Sequence, residues 1–402
     1  MSNKAISLYL HVHQPYRIRH YTVFDAGTDH RYFEAPAEHW ANNRNVIRKI
    51  TEKSYLPTNA KLQALLERHR EFCLSLSLSG TVIEQLEAWA PDALDSFKRL
   101  VDTGRVELLA ETYHHSLAFF YSKSEFESQV AQHREKLKDV FGVRPQVFRN
   151  TELAYNNELA AWAEAAGYKA VLAEGWDAVL GWRSPNFVYR PPGTERIRLL
   201  LKNYKLSDDI AFRFSNREWE EWPLTAEKFA HWLQSIYPAS LINLFMDYET
   251  FGEHQWADTG IFDFLDNLPS QWLQKPGNGF KTVSQAAEME PVDVVDMPYT
   301  VTWADTERDL TAWLGNPMQQ QAIIALYQLE QKIHQTNDPV LLEDWRKLQA
   351  SDHFYYMCTK WFSDGDVHAY FSPYGTPYEA FINFINAYHD LKYRLTEHGV
   401  EV

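Results

Sequence analysis

The chain has 402 residues, 45% of them hydrophobic, enough to bury a large core in one barrel with additions or in two or three domains. Its 39 basic and 54 acidic side chains leave a net charge of −15, which argues against nucleic acid, whose phosphates need Lys and Arg to neutralise them. No apolar run approaches the ~18–20 residues that cross a bilayer, no charged-then-apolar leader follows the initial Met, and two cysteines, Cys73 and Cys358, make no disulfide framework; a cytoplasmic protein is expected.

An apolar run over residues 6–11 predicts a first strand leading into His11-Val12-His13-Gln14-Pro15. On an extended strand His11 and His13 share one side. Such a pair can bind zinc, as can His114 and His115, or can hydrogen-bond sugar hydroxyls and neighbouring carboxylates. No third ligand stands at a diagnostic spacing, so no metal is assigned. A helix over 61–69 and a strand over 72–78 follow, then a helix over 82–103 that stops near Gly104. The strand over 106–110 carries Glu107, read as structural or substrate-orienting, and leads to Glu111 and the His114-His115 pair.

A long helix over 123–141 is closed by Gly142 and Pro145, and a strand over 146–148 runs out into Arg149-Asn150-Thr151-Glu152. An arginine three positions before Glu152 would hold its carboxylate ionised, as a nucleophile must be. Glu152 equally reads as a residue at the start of the next helix, over 156–166. The strand over 169–173 is followed by Glu174 and Trp176, and a strand over 197–202 by Asp208-Asp209, a solvated pair or helix cap. After a helix over 226–237, the strand over 241–246 ends at Asp247, with Glu249 two positions on and on the same side while the chain stays extended. An acid there, among aromatics, suits proton transfer in a half-dry cleft; the plain alternative is an Asp that caps the next helix.

Strand–helix alternation predicts an α/β fold with a mainly parallel sheet. The polar clusters follow directly after strands, where a parallel barrel carries its chemistry. No Gly-rich nucleotide turn or Walker motif is present. Beyond 286–305 the apolar residues fall at helical spacing over 308–333, 341–357 and 378–395. The division expected is a catalytic barrel over 1–290 and a helical C-terminal domain over 291–402 that contributes to the site.

Taken together, these motifs resemble glycoside hydrolase family 57 and its α-amylase-like group. His13-Gln14-Pro15 is similar to the family's first motif, residues 104–109 to the second, 149–155 around Glu152 to the third, and 245–253 around Asp247 to the fourth. Leu348-Gln349-Ala350-Ser351-Asp352-His353 loosely matches the fifth, where the departure from the family pattern is greatest. The resemblance implies an incomplete (β/α)7 barrel, no cofactor, and retaining cleavage or transfer of α-glucosidic bonds. It implies Glu152 as nucleophile and Asp247 as general acid/base, protonated at rest through desolvation or the negative charge of Glu249. His11, His13, Trp176, Glu249 and Asp352 are the expected substrate-binding residues. The 14 Trp and 22 Tyr suit sugar faces. An α-amylase-type hydrolase of α-1,4-glucans or maltooligosaccharides is expected. The alternatives are a 4-α-glucanotransferase or branching enzyme with the same residues, a metal-dependent carbohydrate deacetylase, and a non-catalytic glucan-binding protein.

Overall fold

The computed structural model of the chain describes residues 4–360 and 367–401. Strand β1 (Ala5–Val12) is buried along its whole length, as its near-continuous apolar run requires of a strand covered on both faces. On one edge it pairs in parallel with β8 (Leu241–Asp247), on the other with β2 (Leu74–Leu78) and, at its start, β9 (Gly279–Phe280). Strand β3 (Val106–Leu108) lies beyond β2. A second arc is formed by β4 (Val147–Phe148), β5 (Ala170–Glu174) and β7 (Arg198–Lys202), all parallel, with β6 (Val188–Tyr189) antiparallel on β7.

The two arcs meet at two seams. A parallel bridge pairs Ala110, just past β3, with Phe148 of β4. At the other seam the Asn203 N–H donates to the Asn243 carbonyl at 2.9 Å, and the Asn243 side chain donates to the Leu201 carbonyl at 2.9 Å. Seven parallel strands thus follow one another in the order β1-β2-β3-β4-β5-β7-β8, with no continuous ladder at either seam. This is the incomplete (β/α)7 barrel expected. Its interior packs Tyr9, Val147, Leu172, Leu200 and Phe245 from both arcs, and the Tyr9 and Phe245 rings meet edge to face at 5.6 Å.

Proline sets several helix boundaries that periodicity blurs. The helix expected over 82–103 is two, Gly80–Trp89 and Pro91–Asp102. Pro91 disfavours the helical conformation at Ala90, which sits at φ −146°, ψ 59°. The 308–333 stretch likewise divides into Thr311–Leu314, Pro317–Gln328 and Glu330–Thr336. The long helix Lys123–Phe141 ends as read, on Gly142 in the left-handed conformation. The helices beyond residue 310 do not keep a core to themselves. Trp313, Leu326, Trp345 and Phe384 share one cluster with Phe148, Val171 and Leu199 of the second arc. Among the described residues, no helix is long and apolar enough to cross a membrane.

The loop after β8 comes so close to the helical turn Thr51–Tyr55 that a Cβ on Gly252 would collide with the Lys53 carbonyl oxygen, and Gly252 has φ +107°. Both the clash and the backbone conformation exclude a side chain. Gly252→Ala is expected to lower unfolding stability by roughly 1–3 kcal/mol, read as a lower urea midpoint. An unchanged midpoint would show that this loop does not depend on the close approach.

Candidate active site

The C-terminal strand ends open on a cleft of about 860 Å³ whose lining includes His11, His13, Glu152, Asp247, Glu249 and Asp352. Trp176 is the one expected site residue that does not line it. Trp176 stands half-buried ahead of the short helix Asp177–Leu180 and packs on the second-arc core. The aromatic ring at the acidic centre is instead Trp303.

Glu152 does not start a helix. It lies in a tight turn, Thr151–Leu153, directly after β4, with φ +59°, and Asn156 caps the helix that follows. A positive φ at a non-glycine residue is uncommon and costly, and this one lifts the carboxylate into the cleft mouth. Its Oε1 accepts from His115 Nε2 at 3.0 Å and Ser351 Oγ at 2.9 Å, and its Oε2 accepts from Trp303 Nε1 at 2.8 Å. Burial works against its ionisation, but the His115 hydrogen bond and charge, with the positive charge of Arg149, outweigh it and hold the carboxyl below its ordinary value. Arg149 acts at a distance. Its own guanidinium, fully buried, faces Glu111 Oε2 at 3.6 Å.

Asp247 is the last residue of β8, set in register opposite His11 of β1. Its side chain is 39% exposed, and Oδ1 lies 3.5 Å from His11 Nδ1. Desolvation in the cleft pushes its carboxyl up, but His11, His254 and Arg149 more than offset this, leaving it below the usual value. The expectation of a protonated Asp247 at rest is therefore not met. The proton belongs on Glu249, pushed up to about 8 by burial and by the Asp247 charge, against hydrogen bonds from Tyr55 and Gln14. Nor does the chain stay extended here. The turn Tyr248–Thr250 tucks Glu249 against the Tyr55 hydroxyl at 2.5 Å and Gln14 Nε2 at 3.3 Å.

Between the carboxylates stand three imidazoles. His115 is 4.8 Å from His11 and 4.0 Å from His13, ring centre to ring centre. His11 Nε2 and His115 Nδ1 each lie 3.3 Å from the same Glu111 oxygen. Burial disfavours a charge on His115, but hydrogen bonds to Glu111 and Glu152 raise it to about 9, so it is a cation at neutral pH. His13 goes the other way, to about 4, lowered by burial and the His115 charge against the pull of Asp352. Its Nε2 donates to the Asp352 carboxylate Oδ2 at 2.9 Å, and its Nδ1 accepts from Ser79 Oγ at 2.7 Å. Glu111, with no exposed surface, stays ionised because His11, His115 and Arg149 overcome its burial. His114 lies elsewhere, buried beside Tyr113 and 3.9 Å from Glu343.

Among the described residues, two donor sets are compact enough to hold a cation: His11, Glu111 and His115, and His13, His115 and Asp352. The first already faces a fixed positive charge, since Arg149 Nη1 and Nη2 lie 3.4 Å from His115 Nδ1 and His11 Nδ1. A metal ion there would be repelled at close range. Glu107 is structural, accepting from Ser75 Oγ at 2.8 Å and the Ser284 N–H at 3.1 Å. Asp208 is no helix cap, a role Asn203 fills; it faces Lys202 and Arg308 on the cleft wall.

Two acidic side chains in contrasting surroundings, at the C-terminal ends of parallel barrel strands, are the kind of pair a glycoside hydrolase uses. Comparison with known proteins agrees. The model of glycosyl hydrolase family 57 matches residues 7–298, and the chain is 40% identical over 405 residues to a protein named "Putative alpha-amylase" from Methanocaldococcus jannaschii, covering 98% of this chain and 85% of that one. The chain belongs to glycosyl hydrolase family 57. Its fold is shared with a GH57 branching enzyme from Thermococcus kodakaraensis (TM-score 0.66, 13% identity, 91% of this chain and 87% of that one). It is shared also with the alpha-amylase AmyC from Thermotoga maritima (TM-score 0.61, 14% identity, 99% and 96%).

The raised carboxyl of Glu249 has a consequence for stability. A group that binds its proton more tightly folded than unfolded contributes stability below its ordinary value of 4.5, and that contribution is lost as pH rises through about 8. Glu249→Gln cannot lose a proton, so its melting temperature relative to wild type is expected to climb steadily between those two pH values. A constant difference would place the proton elsewhere.

Proposed function

We propose that this chain is a retaining hydrolase of α-1,4-glucans, of the α-amylase type, with Glu152 as nucleophile and Asp247 as general acid/base. The observation that carries this reading is the contrast between two carboxyl groups lining one cleft. Glu152 is 16% exposed with three donors on its oxygens, while Asp247 is 39% exposed with one imidazole at 3.5 Å. The first surroundings suit a permanent anion. The second suit a group whose protonation follows what fills the cleft.

In the first step Glu152 attacks the anomeric carbon while Asp247 gives its proton to the departing glycosidic oxygen. A sugar seated in the cleft displaces water from Asp247 and so raises its hold on a proton. In the second step Asp247 takes a proton from water, which releases the sugar from Glu152 with its configuration retained. This route calls for the two carboxyl groups about 5–5.5 Å apart. His11, His13 and Asp352 are the polar side chains placed to grip sugar hydroxyls beside the cleavage point. The α-glucan substrate comes from the relatives' names. Cys73 and Cys358, both free thiols, suit the cytoplasm proposed as its compartment.

Glu152→Gln and Asp247→Asn are expected to fold like wild type and to lose activity on maltooligosaccharides by about 10³-fold. Product anomers read by NMR should be α before mutarotation, with reducing ends rising in step with cleavage. Disproportionated chains or new branch points would assign a glucanotransferase or branching enzyme that uses the same pair. Undiminished cleavage by either variant would overturn the assignment, and loss of activity on chelation would favour a metal-dependent deacetylase.

A further inference from the structure

The chain beyond Val301 doubles back between Trp303 and Arg308, outside the residues matched by the family model. Asp305 and Arg308 both have positive φ, 56° and 53°, so the turn is strained and needs to be held. Part of the hold is local. The Thr302 N–H donates to the Arg308 carbonyl at 2.9 Å, and Thr302 Oγ1 to the Asp309 carbonyl at 2.7 Å. The rest comes from the Arg308 side chain, which donates to the Trp303 carbonyl and also reaches Glu174 Oε2 at 3.3 Å and Asp208 Oδ2 at 3.7 Å.

Lys202 completes a square of alternating charge. Its ammonium lies 3.5 Å from Glu174 Oε2, 3.1 Å from Asp208 Oδ1 and 5.6 Å from the Trp303 ring. Glu174 is fully buried and Lys202 nearly so, so each charge in the square depends on the others for compensation. Trp303 stands between this square and the acidic centre. Its backbone N–H donates to the Glu152 carbonyl at 3.3 Å, its indole N–H to Glu152 Oε2 at 2.8 Å, and its ring lies 5.1 Å from the Arg149 guanidinium.

The two donors His115 and Ser351 both act on Glu152 Oε1, so the indole is the donor that sets how the carboxylate is rotated about its last bond. We propose that Arg308, clamped by Glu174, Asp208 and Lys202, is a positioning residue that aims the Trp303 indole, and through it the Glu152 carboxylate, at the anomeric carbon. This rests on the reading of Glu152 as nucleophile. The groups that face Glu152 include His115, Arg149, Asp352, Ser351, Trp303 and Tyr356. Of these, Trp303 is the one that Arg308 holds.

The test compares Arg308→Lys, Arg308→Met, Trp303→Phe and the double variant Arg308→Met/Trp303→Phe. Protein labelled with 15N-tryptophan gives the indole N–H signal of Trp303, assigned by its loss in Trp303→Phe. In Arg308→Met that signal should move upfield as its hydrogen bond to a carboxylate weakens. The kcat should fall about tenfold with KM within about twofold, and the acid limb of the kcat/KM profile should move to higher pH, because losing a donor raises the Glu152 carboxyl. Trp303→Phe should reproduce the kinetic changes, the double variant should be no worse than Trp303→Phe, and Arg308→Lys should fall between Arg308→Met and wild type. An unmoved indole signal, an unmoved acid limb in Trp303→Phe, or additive losses would each overturn the proposal. Should Arg308→Met fail to fold, Trp303→Phe and Arg308→Lys carry the same decision. Rescue of Glu152→Ala by azide reports on the nucleophile assignment alone, so its failure is separable from failure of the Arg308 coupling.

Discussion

Three carboxylates, Glu152, Asp247 and Asp352, line the cleft with Glu111 buried close by, and in a desolvated site the four could not all remain ionised without compensation. Their coexistence is the constraint on which the site depends, and it is met by three clustered imidazoles, two of them 3.4 Å from one guanidinium. Glu111 is the hub. It has no exposed surface and shares one oxygen between His11 and His115, each at 3.3 Å, with Arg149 at 3.6 Å. That anion keeps His115 charged, and charged His115 in turn holds Glu152 ionised. Burial, with the same charge 4.0 Å away, keeps His13 neutral, so that adjacent rings do not repel. Each protonation state follows from its neighbour's.

The barrel supplies these groups from separate strand ends. Parallel pairing puts His11 of β1 level with Asp247 of β8. Glu111 and His115 come from the loop after β3, and Arg149 and Glu152 from the turn after β4. The helical C-terminal part is joined to those same loops by backbone hydrogen bonds. Ser116 bridges Ala350, the Ser351 N–H donates to the His115 carbonyl at 2.9 Å, and Tyr155 bridges Val301. These contacts bring Ser351, Asp352 and Trp303 to the acidic centre, and all three lie past residue 298, where the family match ends. The barrel thus presents the two acids, while the segment behind it contributes to how Glu152 is held.

What could be read from the sequence is what local geometry encodes. His11 and His13 declare themselves by alternate spacing on a strand, and Glu152 and Asp247 by their positions at strand ends. Seven parallel strands were legible as short apolar runs between helices, while the two-residue strands β6 and β9 have no period to detect. Trp303, Ser351 and Arg308 carry no such mark. Trp303 meets Glu152 across 151 positions and Ser351 meets it across 199. The turn that carries Trp303 has two non-glycine residues at positive φ, which no turn-forming residue pattern announces. Trp176 was a reasonable guess on the same grounds as Asp247, an aromatic just past a strand, yet the chain turns at Gly175. There a Cβ would press against the Pro185 side chain and the Lys202 backbone, and Trp176 packs on the core. The charge of Arg149 helps to hold Glu152 ionised, as their spacing suggests, but across a gap and not by contact, since its guanidinium faces Glu111.

The two acids also differ in what controls them. Every donor on Glu152 belongs to the protein: an imidazole, an indole and a hydroxyl, each within 3.0 Å. Filling the cleft leaves those donors in place, so Glu152 is an anion with or without ligand. Asp247 has a single protein partner, His11 at 3.5 Å, and 39% of its side chain faces open space, so much of its solvation is water. A ligand that displaces this water adds to the desolvation that already pushes the Asp247 carboxyl up, against the pull of His11, His254 and Arg149. Glu249, when neutral, does not assist that change by charge. Any switch in protonation therefore lies with occupancy of the cleft, and it falls on Asp247, whose surroundings are part water, rather than on Glu152, whose oxygens are held by protein donors.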